Sequence, residues 1–86
     1  MVGYDVFIKP SALKELERID SRKIRQAVAE RIRALGENPR PPGCRKLAGG
    51  EGYRIRCGVY RVVYSIEDER LVVYVVKLGQ RKDVYR

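Results

Sequence analysis

Arginine and tyrosine are the side chains with chemical reach in this sequence, because the usual catalytic types are missing or isolated. The 86 residues contain no histidine, and the two cysteines, Cys44 and Cys57, stand far apart. That removes Cys/His zinc sites and any Cys–His or Ser–His nucleophilic pair. Gly49, Gly50 and Gly52 are not followed by the Lys-Ser/Thr that a phosphate-cradling P-loop needs. What remains is a set of arginines at strand spacing: Arg54 and Arg56 in YRIRC, Arg61 in VYRVVY, and Arg81 in GQRKDVYR. Residues two apart on a strand share a face. A tight turn at Gly58 can therefore bring Arg61 beside Arg54 and Arg56, and Arg81, just past the last strand, can join them. Like charges gathered on one sheet face repel one another. Folding gains nothing from collecting them, and an absent polyanion supplies a physical reason. No acidic residue interrupts the stretch from Arg54 to Ile66. The competing account is that each arginine snorkels to solvent over apolar neighbours.

If the polyanion is RNA, such a set can do more than bind. RNA carries its own nucleophile, the 2′-OH. In-line attack on the adjacent phosphate needs the hydroxyl deprotonated, the phosphorane-like charge stabilised, and a proton delivered to the leaving 5′-oxygen. Arginine suits the middle task, with a fork of donors and a permanent charge. It is a poor acid or base, since its pKa exceeds ~12. Without histidine, Tyr85 is the best available proton-transfer group, provided nearby guanidinium groups lower its ordinary pKa of ~10. On residue type alone, Tyr85 reads as a packed or frayed terminal aromatic. No cluster of carboxylates, His or Cys suggests a metal, and no cofactor is expected.

The whole-chain balance agrees with a polyanionic partner. Nineteen Lys and Arg against eleven Asp and Glu give a net charge of +8 and a pI of about 9.9. Residues 1–39 contribute +2 of this, and residues 40–86 contribute +6. Nucleic acid is the simplest match to so basic a half. An apolar content of 44% fits one globular domain, 1–86, with a modest core. No apolar run approaches the ~20 residues of a membrane span. The start, MVGYDVFIKP, lacks the apolar block of a signal peptide, so a cytoplasmic protein with reduced thiols and no membrane partner is expected.

The elements that must hold these residues follow from the apolar periods. Tyr4, Val6 and Ile8 alternate with Asp5, Phe7 and Lys9, predicting a short strand that Pro10 ends. Pro10 or Ser11 can open a first helix over about 11–19, with Leu13, Leu16 and Ile19 inward. Asp20 or Ser21 can cap a second helix, whose stripe is Ile24, Ala27, Val28, Ile32 and Leu35 and whose stop is Gly36. Residues 38–52 read as a loop. Tyr53–Cys57, Val59–Ile66 and Leu71–Leu78 read as strands of period two. Tyr60, Tyr64 and Tyr74 are expected in the core or on the sheet surface rather than as base-stacking platforms. LVVYVVKL is apolar on both faces, which predicts a central strand covered on both sides, with Lys77 at its rim. Glu67, Asp68 and Glu69 read as a solvated turn. The expected fold is α+β, in the order β-α-α-β-β-β. It is a twisted, mainly antiparallel sheet with a helical hairpin packed on one face and with Arg54, Arg56 and Arg61 together on the other, uncovered face.

From Arg45 onward, RKLAGGEGYRIRCGVYRVVYSIEDERLVVYVVKLGQRKDVYR closely resembles the RelE-type toxins of the RelE/ParE toxin–antitoxin superfamily. The resemblance extends through KPSALKELERID and NPRPPG to nearly the whole chain. Its most specific parts are YRIR-x-G-x-YRVVY, the ED turn and G-x-RKDVY. It implies an mRNA interferase that enters the ribosomal A site of the 70S ribosome, against 16S rRNA, cleaves the bound mRNA, and is held inactive by a cognate antitoxin protein. Carried over, the catalytic positions are Arg56, Arg61, Arg81 and Tyr85. The RNA-binding positions are Arg45, Lys46, Arg54, Arg56 and Lys82. Many relatives have His where this chain has Gln80, so a histidine acid/base mechanism is excluded here. The competing expectations are a ParE-like inhibitor of DNA gyrase, a non-catalytic basic RNA-binding module and a small structural domain with a solvated basic surface.

Overall fold

A computed structural model describes residues 3–50 and 52–80. Strand β1 (Asp5–Ile8) leads into helix α1 (Pro10–Glu17) and helix α2 (Arg22–Ala34), followed by β2 (Arg45–Lys46), β3 (Tyr53–Cys57), β4 (Tyr60–Glu67) and β5 (Val72–Gln80). The five strands form one sheet in the order β1-β5-β4-β3-β2. β1 runs parallel to β5, and every other pair is antiparallel. This is the expected α+β arrangement with one addition: the 38–52 loop contains the short strand β2, hydrogen-bonded to β3.

Local chemistry accounts for the helix ends. Pro10 at the first helical position opens α1 without any side-chain cap, so the proline rather than Ser11 starts this helix. Ser21 caps α2, its hydroxyl accepting from the Ile24 amide at 3.2 Å. Arg25 donates to the Ile19 carbonyl at 2.7 Å and ties the two helices together. After α2 the chain passes so close to β1 that a Cβ on Gly36 would sit 2.9 Å from the Tyr4 carbonyl oxygen. Only glycine permits this approach, across which the Tyr4 amide bonds Gly36 O at 2.7 Å.

The helices cover one face of the sheet. Ala12 and Leu16 from α1, Ile19 just after it, Val28 and Ile32 from α2, and Leu35 just after that helix pack against Ile55, Val62, Tyr64, Val73, Val75 and Leu78. Two expectations about the helix stripes change. Leu13 faces outward while Ala12 faces in, because α1 lies directly on β5 and the contact favours the small residue. Ile24 and Ala27 are exposed, so the buried stripe of α2 begins at Val28.

A further correction concerns the doubly apolar strand. β5 lies inside the sheet, but Tyr74 and Lys77 on its far face are exposed. The strand buried on both faces is β4, at Arg61–Tyr64. The register between β4 and β5 slips where Val63 pairs with Lys77 but Tyr64 pairs with Val75, leaving Val76 as an extra residue. This bulge explains why Val73 and Val75, and then Leu78, point into the core although a strict alternation would select Lys77.

Candidate nucleic-acid interface

The register arranges the far face in rows. Arg56 stands directly opposite Arg61, which in turn stands opposite Gly79. The next row holds Arg45, Arg54, Val63 and Lys77. The turn that sets this pairing is the two-residue loop Gly58–Val59, with Gly58 at φ 62°. A positive φ at the first loop position is what a tight hairpin needs, and glycine takes it without strain. Arg54, Arg56 and Arg61 thus share one face as expected, with Arg45 and Lys77 added.

The face is not uniformly uncovered. Arg56 is exposed and Arg54 half-buried, but Arg61 is only 2% exposed. It sits in the centre of the sheet, flanked by β3 and β5, where a long side chain is enclosed by its neighbours. Together with Arg56, Gly58 and Val59 it lines a shallow cleft of about 150 Å³. Arg45 and Lys46 separate: Arg45 pairs with Arg54 on the basic face, whereas Lys46 pairs with Tyr53 and belongs to the helix-side face. Both are exposed. Arg81, Lys82 and Tyr85 lie outside the described residues. Among the described residues, no three His, Cys, Asp or Glu side chains converge as a metal site. Cys44 and Cys57 are free thiols.

A second polar cluster, absent from the sequence reading, holds the loop that feeds β2. Arg40 grips Asp68 with two hydrogen bonds, Nη1 to Oδ1 at 3.2 Å and Nη2 to Oδ2 at 2.9 Å. Its guanidinium lies 5.3 Å above the Tyr53 ring centroid, and its Nε donates to the Tyr53 hydroxyl at 3.4 Å. Tyr4 donates to Asp68 Oδ1 at 2.7 Å. The Arg40 and Tyr4 hydrogen bonds hold the Asp68 carboxyl below its ordinary pKa, and the bond to Asp68 raises that of Tyr4. Tyr53 stacks on Tyr64 at 5.9 Å, and buried Tyr64 donates to the Pro39 carbonyl at 2.7 Å. Burial pushes the Tyr64 phenol well above its usual pKa. Asp68 is therefore a structural anchor rather than part of a merely solvated turn. The sequence offers no spacing rule that links Arg40 to a carboxylate so distant along the chain.

Residues 6–85 match the family described as the ParE toxin of type II toxin–antitoxin system, parDE. A RelE-like toxin protein of Escherichia coli is 34% identical over 86 residues, covering 95% of this chain and 90% of the relative. The mRNA interferase toxin RelE of Escherichia coli strain K12 is 30% identical over 89 residues, covering 94% and 86%. RelE in the archaeal RelE–RelB complex of Pyrococcus horikoshii OT3 has the same fold, with a TM-score of 0.81 at 30% identity over 94% of this chain and 97% of that one. The chain belongs to the RelE/ParE family of type II toxins. Within it, it is a RelE-type toxin. No helix among the described residues is long and apolar enough to cross a membrane.

Proposed function

We propose that the chain is an endoribonuclease that cleaves mRNA in the ribosomal A site and is neutralised by a cognate antitoxin. The observation that carries this is the direct opposition of Arg56 and Arg61 across β3 and β4, in a cleft of about 150 Å³. Two fork-shaped cations facing one small cleft suit a phosphate whose charge increases during reaction. The relative named an mRNA interferase and the relative crystallised with RelB support the reading.

In this mechanism the 2′-OH attacks the adjacent phosphorus while the bond to the 5′-oxygen breaks. Arg61 stabilises the phosphorane from its enclosed position, together with Arg56 across the strand pair and with Arg81. Arg45, Arg54, Lys46 and Lys82 hold flanking phosphates; Lys46 does so from the edge of the sheet, since it does not share the face of the others. Tyr85 transfers the proton, and Arg81 assists the leaving oxygen. Attack by the RNA's own hydroxyl needs no metal. A site without histidine is slow unless the substrate is held in line, and the ribosome supplies that positioning. The antitoxin stabilises the toxin by mass action and covers its site. Ribosomes place the action in the cytoplasm.

The test is single-turnover cleavage of mRNA on isolated ribosomes, with the product ends identified. The expected ends are a 2′,3′-cyclic phosphate or 3′-phosphate and a 5′-hydroxyl. Tyr85→Phe removes only the hydroxyl and should slow the step. An unchanged rate removes Tyr85 from the mechanism, and a 5′-phosphate product removes 2′-OH attack altogether. Absence of any cut, with inhibition of DNA gyrase instead, would replace the reading with the ParE-like one.

A further inference from the structure

The basic face continues past the arginines in an order that the cleavage chemistry does not use. Beyond the row of Arg45, Arg54, Val63 and Lys77, the register places Phe7, Tyr74 and Ser65 side by side across β1, β5 and β4. The last row holds Asp5, Val72 and Glu67. Phe7 and Tyr74 are 53% and 41% exposed, and Asp5 and Glu67 are exposed too. One sheet face therefore runs from guanidinium groups, through a pair of solvent-facing aromatic rings, to a pair of carboxylates.

Each row suits a different part of a single strand of RNA. Phosphates belong on arginine and lysine. Aromatic side chains on an open sheet are stacking platforms for unpaired bases. Carboxylates repel a further phosphate but accept hydrogen bonds from exocyclic amino groups. An apolar protein segment fits less well, because Lys77, Ser65, Asp5 and Glu67 stand around the rings, Val63 is buried, and half-buried Val72 adds little apolar surface beside them. Tyr74 lies five residues along β5 from Gly79, the position opposite Arg61. At ~3.3 Å per residue this is roughly 16 Å, a few nucleotides of chain.

We propose that Phe7 and Tyr74 form a base-stacking subsite, a few nucleotides from the scissile phosphate, that takes one unpaired nucleobase, and that Asp5 and Glu67 end the RNA track. The proposal rests on the reading that the arginine rows bind RNA phosphates. It adds two residues that the cleavage mechanism leaves idle, and it departs from the sequence expectation for Tyr74 because the structure sets that ring exposed beside Phe7.

Fluorescence anisotropy with the full chain tests it. The probes are a short labelled 2′-O-methyl oligoadenylate, which cannot be cut, and an abasic ribose-phosphate chain of equal length. Phe7→Ala, Phe7→Leu and Tyr74→Ala should each weaken oligoadenylate binding by roughly 5- to 150-fold, the usual worth of one stacked base. Their salt dependence and their affinity for the abasic chain should match the unsubstituted protein. Because both rings are exposed, the melting curves should also match. Equal oligoadenylate affinity for all four proteins overturns the subsite while leaving the arginine reading intact. Failure of the unsubstituted protein to bind either probe in a salt-dependent way overturns the arginine reading itself. If the variants lose only binding to the co-expressed antitoxin, the aromatic pair is a protein contact and the proposal falls. Asp5→Asn with Glu67→Gln should let a longer oligoadenylate gain affinity that the unsubstituted protein does not gain, and no gain removes the carboxylates from the proposal.

Discussion

The two faces of this sheet are built from the same strands and consist of alternate residues. On one face Ile55, Val62, Tyr64, Val73 and Val75 are sealed beneath the helices. On the other stand Arg54, Arg56, Arg61 and Lys77. Neighbouring residues thus have unlike surroundings: Ile55 is buried and Arg56 is exposed. A period of two lets one small sheet carry a packed face and a charged face, so that stability and the proposed chemistry fall on different residues. It also makes the separation measurable, because substitutions one residue apart should fail in different assays.

The largest effect is expected on the covered face. Ile55 is fully buried in the core, so Ile55→Ala should lower unfolding free energy by about 2–5 kcal/mol. A domain this small has little margin. Denaturant titration should report a lower midpoint, while RNA affinity per folded molecule stays unchanged. A loss of affinity without loss of stability would break the division between faces.

Arg61 tests the division where it is weakest, since this residue belongs to the basic face and is buried. Arg61→Ala should reduce single-turnover cleavage by about 10²–10³, the usual cost of removing a donor from developing charge. Arg61→Lys keeps a charge but loses the fork, and should recover only part of the rate. If both variants melt far below the unsubstituted protein, Arg61 serves the core more than the chemistry. Arg56→Ala should do less. Because Arg56 is exposed, its loss should leave the melting curve in place and reduce the log–log salt slope of RNA binding by about 0.7, one phosphate contact on a single strand. An unchanged slope would show that Arg56 touches no phosphate.

The strand periods, the Ser21 cap and the Gly58 turn were legible from local chemistry, and they suffice to place Arg54, Arg56 and Arg61 on one face. What escaped depends on contacts between distant segments. Ala12 replaces Leu13 in the core because of how closely α1 approaches β5. Lys77 joins the basic face because of the bulge at Val76, and nothing in VVYVVKL marks that position. Arg45 and Lys46 lie on opposite faces because they are paired with β3, a pairing too short to show a period. Arg61 is enclosed because β4 is central, whereas the apolar content of β5 made that strand the better candidate. Arg81, Lys82 and Tyr85 lie outside the described residues, and their roles remain part of the proposed mechanism.

The smallest expected effect separates the basic face from the clamp that supports its edge. Arg40, Asp68 and Tyr4 lie away from the arginine rows, so Asp68→Asn should leave the salt slope of RNA binding close to that of the unsubstituted protein. Its signature is instead in the pH dependence of stability. The hydrogen bonds from Arg40, and then from Tyr4, depress the folded pKa of Asp68. The resulting stability is fully present above the unfolded carboxylate pKa of ~3.9 and is lost as pH falls through the lower folded value. Tyr4 has the opposite sign: its pKa is raised by the bond to Asp68. Its contribution is present below the unfolded phenol value of ~10 and fades as pH rises through the folded one. The alkaline limb is shared with buried Tyr64, whose pKa is also raised, so the acid limb is the cleaner test. Side chains this exposed make the effect small, and added salt should shrink it further. Thermal melts from neutral pH to below pH 4 should show the unsubstituted protein losing its advantage over Asp68→Asn in that acid range alone. A constant gap across the range would mean that the clamp acts through shape rather than charge.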